Sequence, residues 1–148
     1  MKTRESGTAM ESGMRRHALT ILLIGALHGG FGVTLAAAAA HVETSPLLAT
    51  ASQFMMIHAA AGAALAGVLL ALRPGGRVFA FLVYALQGGV TLFCADLALR
   101  AFTQHSLFPY AAPIGGSATI LAWTALALWS ALSLMRMRDA DAENKEGV

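Results

Sequence analysis

Charge is the scarcest thing in this sequence. Asp, Glu, Lys and Arg make up 12% of its 148 residues, against roughly 25% in soluble globular proteins. Hydrophobic residues make up 57%. A water-soluble fold needs charged side chains along its whole surface, so a soluble enzyme and a nucleic-acid binder are both disfavoured. The net charge of +2 and the pI near 9.1 then report on membrane topology rather than on affinity for nucleic acid. Cysteine is scarce too. Cys94 stands alone, which rules out a disulfide within the chain and a cysteine-based zinc site. Catalytic motifs are lacking as well. Gly29-Gly30-Phe31-Gly32 has neither a preceding strand nor a lysine to make a phosphate loop, and there is no HExxH and no recognisable Ser, His and acid set. No catalytic residue and no metal site are expected.

The charges that exist are unevenly placed. Only Glu43, Arg73, Arg77, Asp96 and Arg100 fall between Ala18 and Met135. Between polar and Pro/Gly-rich breaks stand four apolar stretches, Ala18 to Ala40, Leu47 to Leu72, Val78 to Phe102 and Ile114 to Met135. Each is long enough for the roughly 20 apolar residues that carry a helix across a ~30 Å hydrocarbon core. Continuous apolar runs also argue against the alternating ~10-residue segments of a β-barrel. Short connections place successive helices side by side and antiparallel. The expected fold is therefore an all-α, integral-membrane four-helix antiparallel bundle, with tails at residues 1–17 and 136–148.

Nine of the ten Lys and Arg residues belong to the two tails and the loop of Arg73 and Arg77, while Arg100 stands alone on the other side. The positive-inside rule places both termini and the loop of Arg73 and Arg77 in the cytoplasm. The basic start and the small residues before His41 also suit a signal peptide, but the run is longer than the 7 to 15 residues of such an apolar region. Retention as a membrane helix is expected.

Polar groups within spans are costly in lipid and are the sequence-level route to function. At ~1.5 Å per residue, His28, His58 and Gln87 lie ~14 to 17 Å deep, near mid-membrane. Two histidines at one depth could hold a b-type haem or a metal, or relay a proton; the plainer alternative, which is favoured because a metal usually needs more ligands, is that each makes an interhelical hydrogen bond. Gly25, Gly29 and Gly32 share a side of the first helix with His28, so His28 is expected to face protein. Gln53 and Asp96 lie ~9 Å deep from the other end, with His41, Arg100, Gln104 and His105 nearer that surface. Asp96 and Arg100 are four apart, a spacing that suits an ion pair. Gln53, His41, Gln87, Asp96 and Arg100 are also candidates for contacts with a partner subunit, a proton or a quinone. Trp123 is too deep for an interfacial belt, so its indole N–H is expected to bond to a neighbouring helix.

Several runs resemble one known family. They are Gly25-Ala26-Leu27 through Gly32, Ala40-His41, Ala51-Ser52-Gln53-Phe54-Met55-Met56-Ile57-His58-Ala59, Phe93, and Pro113-Ile114-Gly115-Gly116 followed by Trp123. Together they resemble the domain of unknown function 423 family of small membrane proteins similar to transmembrane protein 256, over roughly Gly25 to Trp129. The chain departs from the family's Gly-Ala-Phe-Gly-Ala-His at Ala36 to His41. It departs again from the family's Phe-Ser-Gly-Ser-Leu-Tyr at Phe93 to Ala98, where Asp96 replaces a small hydroxyl residue. The resemblance implies a small four-helix membrane protein, mitochondrial or of the bacterial plasma (inner) membrane, with no established activity; the bacterial plasma (inner) membrane is the expectation here.

The expected function is non-enzymatic: an accessory or stabilising subunit in the lipid bilayer, packed against other subunits of a larger membrane complex, possible partners being those of a respiratory chain. The alternative is a membrane protein binding haem or quinone through His28, His58 or Asp96. A transporter or channel is the weaker third class, because four short-looped helices leave little room for a pathway.

Overall fold

Four helices arranged in chain order account for all regular structure among the described residues: α1 (Lys2–His41), α2 (Pro46–Leu72), α3 (Arg77–Thr103) and α4 (Ala111–Glu146). The computed structural model describes residues 2–41, 46–72 and 77–146, with side chains over 11–41, 46–72 and 77–143. Glu43 and Arg73, and the side chains of Lys2, Arg4 and Lys145, lie outside the described residues. All four helices are long and apolar enough to cross a membrane, and the chain is an all-α four-helix membrane bundle.

The helix ends follow local chemistry rather than hydropathy. Helices α1 and α4 continue beyond the apolar stretches that end at Ala18 and Met135, by 16 and 11 residues respectively. The tails are rich in Glu, Arg, Ala and Met, residues that lose little on entering a helix, so a nucleated helix propagates through them. Pro46 opens α2, and Pro113 sits in the first turn of α4, where the missing N–H has no intrahelical partner to lose. Helix α3 is closed by the residue after it, Gln104, whose N–H donates to the Arg100 carbonyl at 3.0 Å and whose φ of 62° gives the left-handed turn that commonly follows a helix.

Small residues set the closest approaches. In α1 and α2, a Cβ on Gly25 would lie 3.2 Å from the Ala59 carbonyl oxygen, and one on Gly32 would lie 3.2 Å from Met56 N. In α3 and α4, a Cβ on Gly115 would lie 2.5 Å from Phe93 N and 2.8 Å from Gly89 O. Helix backbones approach this closely in lipid only where side chains are absent, because van der Waals packing replaces the hydrophobic drive. The Ser52 hydroxyl adds a cross-link, donating to the Gly32 carbonyl at 2.9 Å. The result is two antiparallel hairpins, α1 with α2 and α3 with α4, joined through α2 and α3. Helix α1 touches α3 only lightly and, among the described residues, makes no close backbone contact with α4.

The buried interior divides into two apolar clusters. One, toward the end that carries both termini, gathers Ile21, Leu69, Phe79, Val83, Leu86 and Leu126. The other, toward the 104–110 loop, gathers Ala51, Met55, Val90, Cys94 and Leu97. The buried polar side chains His28, His58, Gln87 and Thr119 fall between them.

Candidate functional site

The middle layer is built by polar side chains from all four helices. His58 of α2 is fully committed. Its Nδ1 donates to the Phe54 carbonyl at 2.8 Å, so the other ring nitrogen carries a lone pair, and Trp123 Nε1 of α4 donates to it at 3.3 Å. Phe54 stacks on the same imidazole with centroids 5.6 Å apart. The hydrogen bond to Phe54 fixes the tautomer that the hydrogen bond from Trp123 requires.

Gln87 of α3 crosses to α2. Its Nε2 donates to the His58 carbonyl at 3.1 Å, and a Cβ on Gly62 would collide with that nitrogen. Glycine at 62 therefore gives the amide its berth. Thr91 lies one turn on and donates to the Gln87 carbonyl at 2.8 Å, the common back-bond of a helical threonine. The same Thr91 oxygen lies 2.8 Å from His28 Nε2 of α1. Two atoms of this layer have no hydrogen-bond partner although they are buried: His28 Nδ1 and Gln87 Oε1. His28 is 3% exposed and Gln87 1%. The two side chains interact with each other, so a ring proton on Nδ1 would face the Gln87 carbonyl oxygen.

Both residues line a groove of about 550 Å³ between α1 and α3. Leu27, Phe31 and Leu35 form its α1 wall and Gly88, Ala95 and Ala98 its α3 wall; His28, Gln87 and Thr91 supply the polar part. The groove exists because α1 follows α2 rather than α3, and because Gly88, Ala95 and Ala98 project little from α3. Its volume lies within the roughly 300 to 1,000 Å³ of small-molecule sites, which combine mostly apolar walls with a few convergent polar groups.

The histidine pair is thus near a common level but does not offer two free nitrogens to one opening. His28 lines the groove, whereas both His58 nitrogens are occupied by Phe54 and Trp123. Among the described residues, no group of three or more His, Cys, Asp and Glu side chains could hold a metal ion.

Asp96 and Arg100 form a separate arrangement nearer the 104–110 loop. Asp96 is 0% exposed. Its Oδ2 accepts from Arg100 Nε at 2.6 Å and its Oδ1 from Leu107 N–H at 2.8 Å. Arg100 is 39% exposed, as expected of a long side chain that carries its charge toward the membrane surface. The carboxylate thereby fastens the loop to α3. Gln53 and His41 are exposed and are not brought into either arrangement.

Sequence reasoning missed Thr91, which completes the His28 connection, and Leu107, whose backbone meets Asp96. Thr91 was findable in principle, since it lies one turn from Gln87 on the same face. Leu107 contributes only a backbone N–H, which no residue type announces.

Residues 28–116 match the family model described as "Protein of unknown function (DUF423)". No curated protein and no solved structure matches the chain.

Proposed function

Since the chain belongs to the DUF423 family of proteins of unknown function, we propose from its geometry that it is a non-catalytic membrane protein that binds an apolar small molecule in the groove between α1 and α3. One observation carries this reading: a mostly apolar groove of about 550 Å³ converges on three polar side chains near mid-membrane, His28, Gln87 and Thr91. Packing alone would favour apolar side chains along such a groove, because polar groups within the bilayer are costly. The groove faces outward between two helices, so an apolar molecule can enter from the bilayer without crossing the bundle. The proposal sets both termini in the cytoplasm, on the lysine and arginine asymmetry, and takes the bacterial plasma membrane from the family resemblance.

Gly88→Leu tests the binding role. Gly88 lines the groove and a Cβ there meets nothing within 4 Å, so a leucine at this position puts bulk into the groove. Native mass spectrometry of gently extracted protein should find a retained small molecule on the wild type and little on Gly88→Leu. Wild type without any bound molecule, or equal retention by both proteins, would count against the reading.

The absence of close contact between α1 and α4 favours a second reading, an accessory subunit whose uncovered helix faces meet a larger membrane complex, such as a respiratory one. Native gel electrophoresis at natural expression levels tests it. Migration only as a free monomer would remove it.

A further inference from the structure

Depth and charge narrow what the α1–α3 groove can hold. Its α3 wall runs from Tyr84 to Ala98, about 9 Å to one side and about 12 Å to the other side of the α3 midpoint at Val90, at ~1.5 Å per residue. Its α1 wall runs from Ile24 to Leu35, about 8 Å and about 9 Å to either side of Gly29, the middle of the apolar stretch from Ala18 to Ala40. Half of a hydrocarbon core is ~15 Å, so the groove straddles mid-membrane and stops short of both surfaces. Its polar part is central, since His28 adjoins Gly29 while Gln87 and Thr91 flank Val90. Thr91 is exposed, so this part can be reached from the bilayer. Among the described residues, no Asp, Glu, Lys or Arg lines the groove. The two ends differ. Toward the termini, Tyr84 reaches across to α1, its hydroxyl 3.1 Å from His17 Nδ1 and its ring edge-on to the imidazole, which ties the two helices together. Toward the 104–110 loop the α3 wall falls to Ala95 and Ala98.

We propose that the groove holds a neutral chain lipid at mid-membrane: an uncharged polar head against His28, Gln87 and Thr91, and one long chain laid along Phe31, Leu35, Ala95 and Ala98 toward the 104–110 loop. This rests on the binding role proposed above and names its ligand class. Depth decides against a phospholipid. Its phosphate stays at a surface, ~15 Å from mid-membrane, so only the ends of its chains reach the level of His28, and they offer nothing polar to it. Charge decides against an ionised single-chain lipid, whose head would be costly at that depth and would meet no cation in the lining. Shape favours a chain over a compact ring system, because the walls extend ~17 to 21 Å along the helix axes. Between them the three polar side chains both donate and accept, so a hydroxyl head and a carbonyl head both suit them. The Tyr84–His17 contact at the opposite end sets the direction in which the chain leaves.

The test uses the full chain in phosphatidylcholine nanodiscs and a long-chain alcohol carrying a photoreactive diazirine near its chain end. Labelling should fall on the peptides that hold Phe31 to Leu35 and Ala95 to Ala98, and Gly88→Leu should remove most of it. Ala95→Leu, a second block on the same wall, keeps the test decisive if Gly88→Leu does not fold. An alkyl sulfate with the same chain and diazirine, permanently charged, should label the groove on the order of a hundredfold less. A phosphatidylcholine with the diazirine on one chain should label it no more than the blocked variants are labelled. Competition with an unlabelled polyprenol, long-chain quinone or straight-chain alcohol tells which neutral lipid is held best; displacement by none of them overturns the inference. Labelling confined to the surroundings of Ile24 and Tyr84 also overturns it. Equal labelling by the alcohol, sulfate and phosphatidylcholine probes, still lowered by Gly88→Leu, describes a crevice filled by any lipid; the neutral-lipid assignment then fails while the binding role stands. Labelling that neither block lowers overturns the binding role itself.

Discussion

Adjacent glycines at the head of α4 should respond to alanine with opposite signs. At Gly115 an added Cβ would sit 2.5 Å from Phe93 N, 2.8 Å from Gly89 O and 2.9 Å from Phe93 Cα. All three atoms are backbone, so no side chain can swing aside, and α3 and α4 must part along the contact. Overpacking of this kind costs about 1 to 3 kcal/mol, and a clash with backbone belongs at the upper end. At Gly116 the nearest atoms to a new Cβ are Phe93 Cδ2 at 3.7 Å and Cε2 at 3.9 Å, which is ordinary contact. There alanine adds packing and removes a helix penalty of up to about 1 kcal/mol. The two variants should therefore differ by roughly 2 to 4 kcal/mol. Reversible unfolding in mixed micelles, titrated with denaturing detergent and followed by circular dichroism, measures both. A neutral Gly115→Ala, or a Gly116→Ala that destabilises as much, would refute the claim that backbone contact at Gly115 sets the α3–α4 distance.

Trp123→Phe removes the donor to His58 and should cost about 0.6 to 1.7 kcal/mol, the range of hydrogen bonds between membrane helices; the same unfolding titration reads it, and no loss would mean the 3.3 Å contact contributes nothing. Asp96→Ala frees the 104–110 loop, so the Leu107 amide should lose hydrogen-exchange protection several-fold while amides at mid-α3 keep theirs; unchanged protection at Leu107 would show that the loop holds itself. Gln104→Gly relieves a left-handed residue, φ 62°, and should stabilise by about 0.5 to 1 kcal/mol in the same titration. A destabilised Gln104→Gly would mean that the glutamine side chain matters more than the backbone angle.

The four helices were legible because lipid imposes a length and an apolarity that no other environment demands together. Their outer ends were not, since hydropathy marks where lipid stops and helix propensity continues through Glu, Arg and Met of both tails. Depth arithmetic brought His28, His58 and Gln87 to a common level, and in the structure they form one layer with Trp123. What depth cannot supply is rotation about each helix. It left open that His58 would spend both nitrogens on Phe54 and Trp123 while His28 turned toward Thr91 and the groove. The family resemblance added the span that the family model matches and nothing about chemistry. Asp96 with Arg100 was readable from a spacing of four, but the loop N–H that takes the second carboxylate oxygen was not, because backbone groups carry no sequence signal.

The pairing of Asp96 with Arg100 also bears on electrical behaviour. A charge moved through the membrane field gains or loses about 2.3 kcal/mol per 100 mV. Here the carboxylate and the guanidinium stand on one helix, one turn apart and in contact, so a tilt, slide or rotation of α3 carries both and transfers no net charge. Of the described residues deep in the spans, none contributes another formal charge. Whatever the α1–α3 groove does as it fills and empties, the membrane potential does no first-order work on it, and its occupancy is set by what is dissolved in the bilayer.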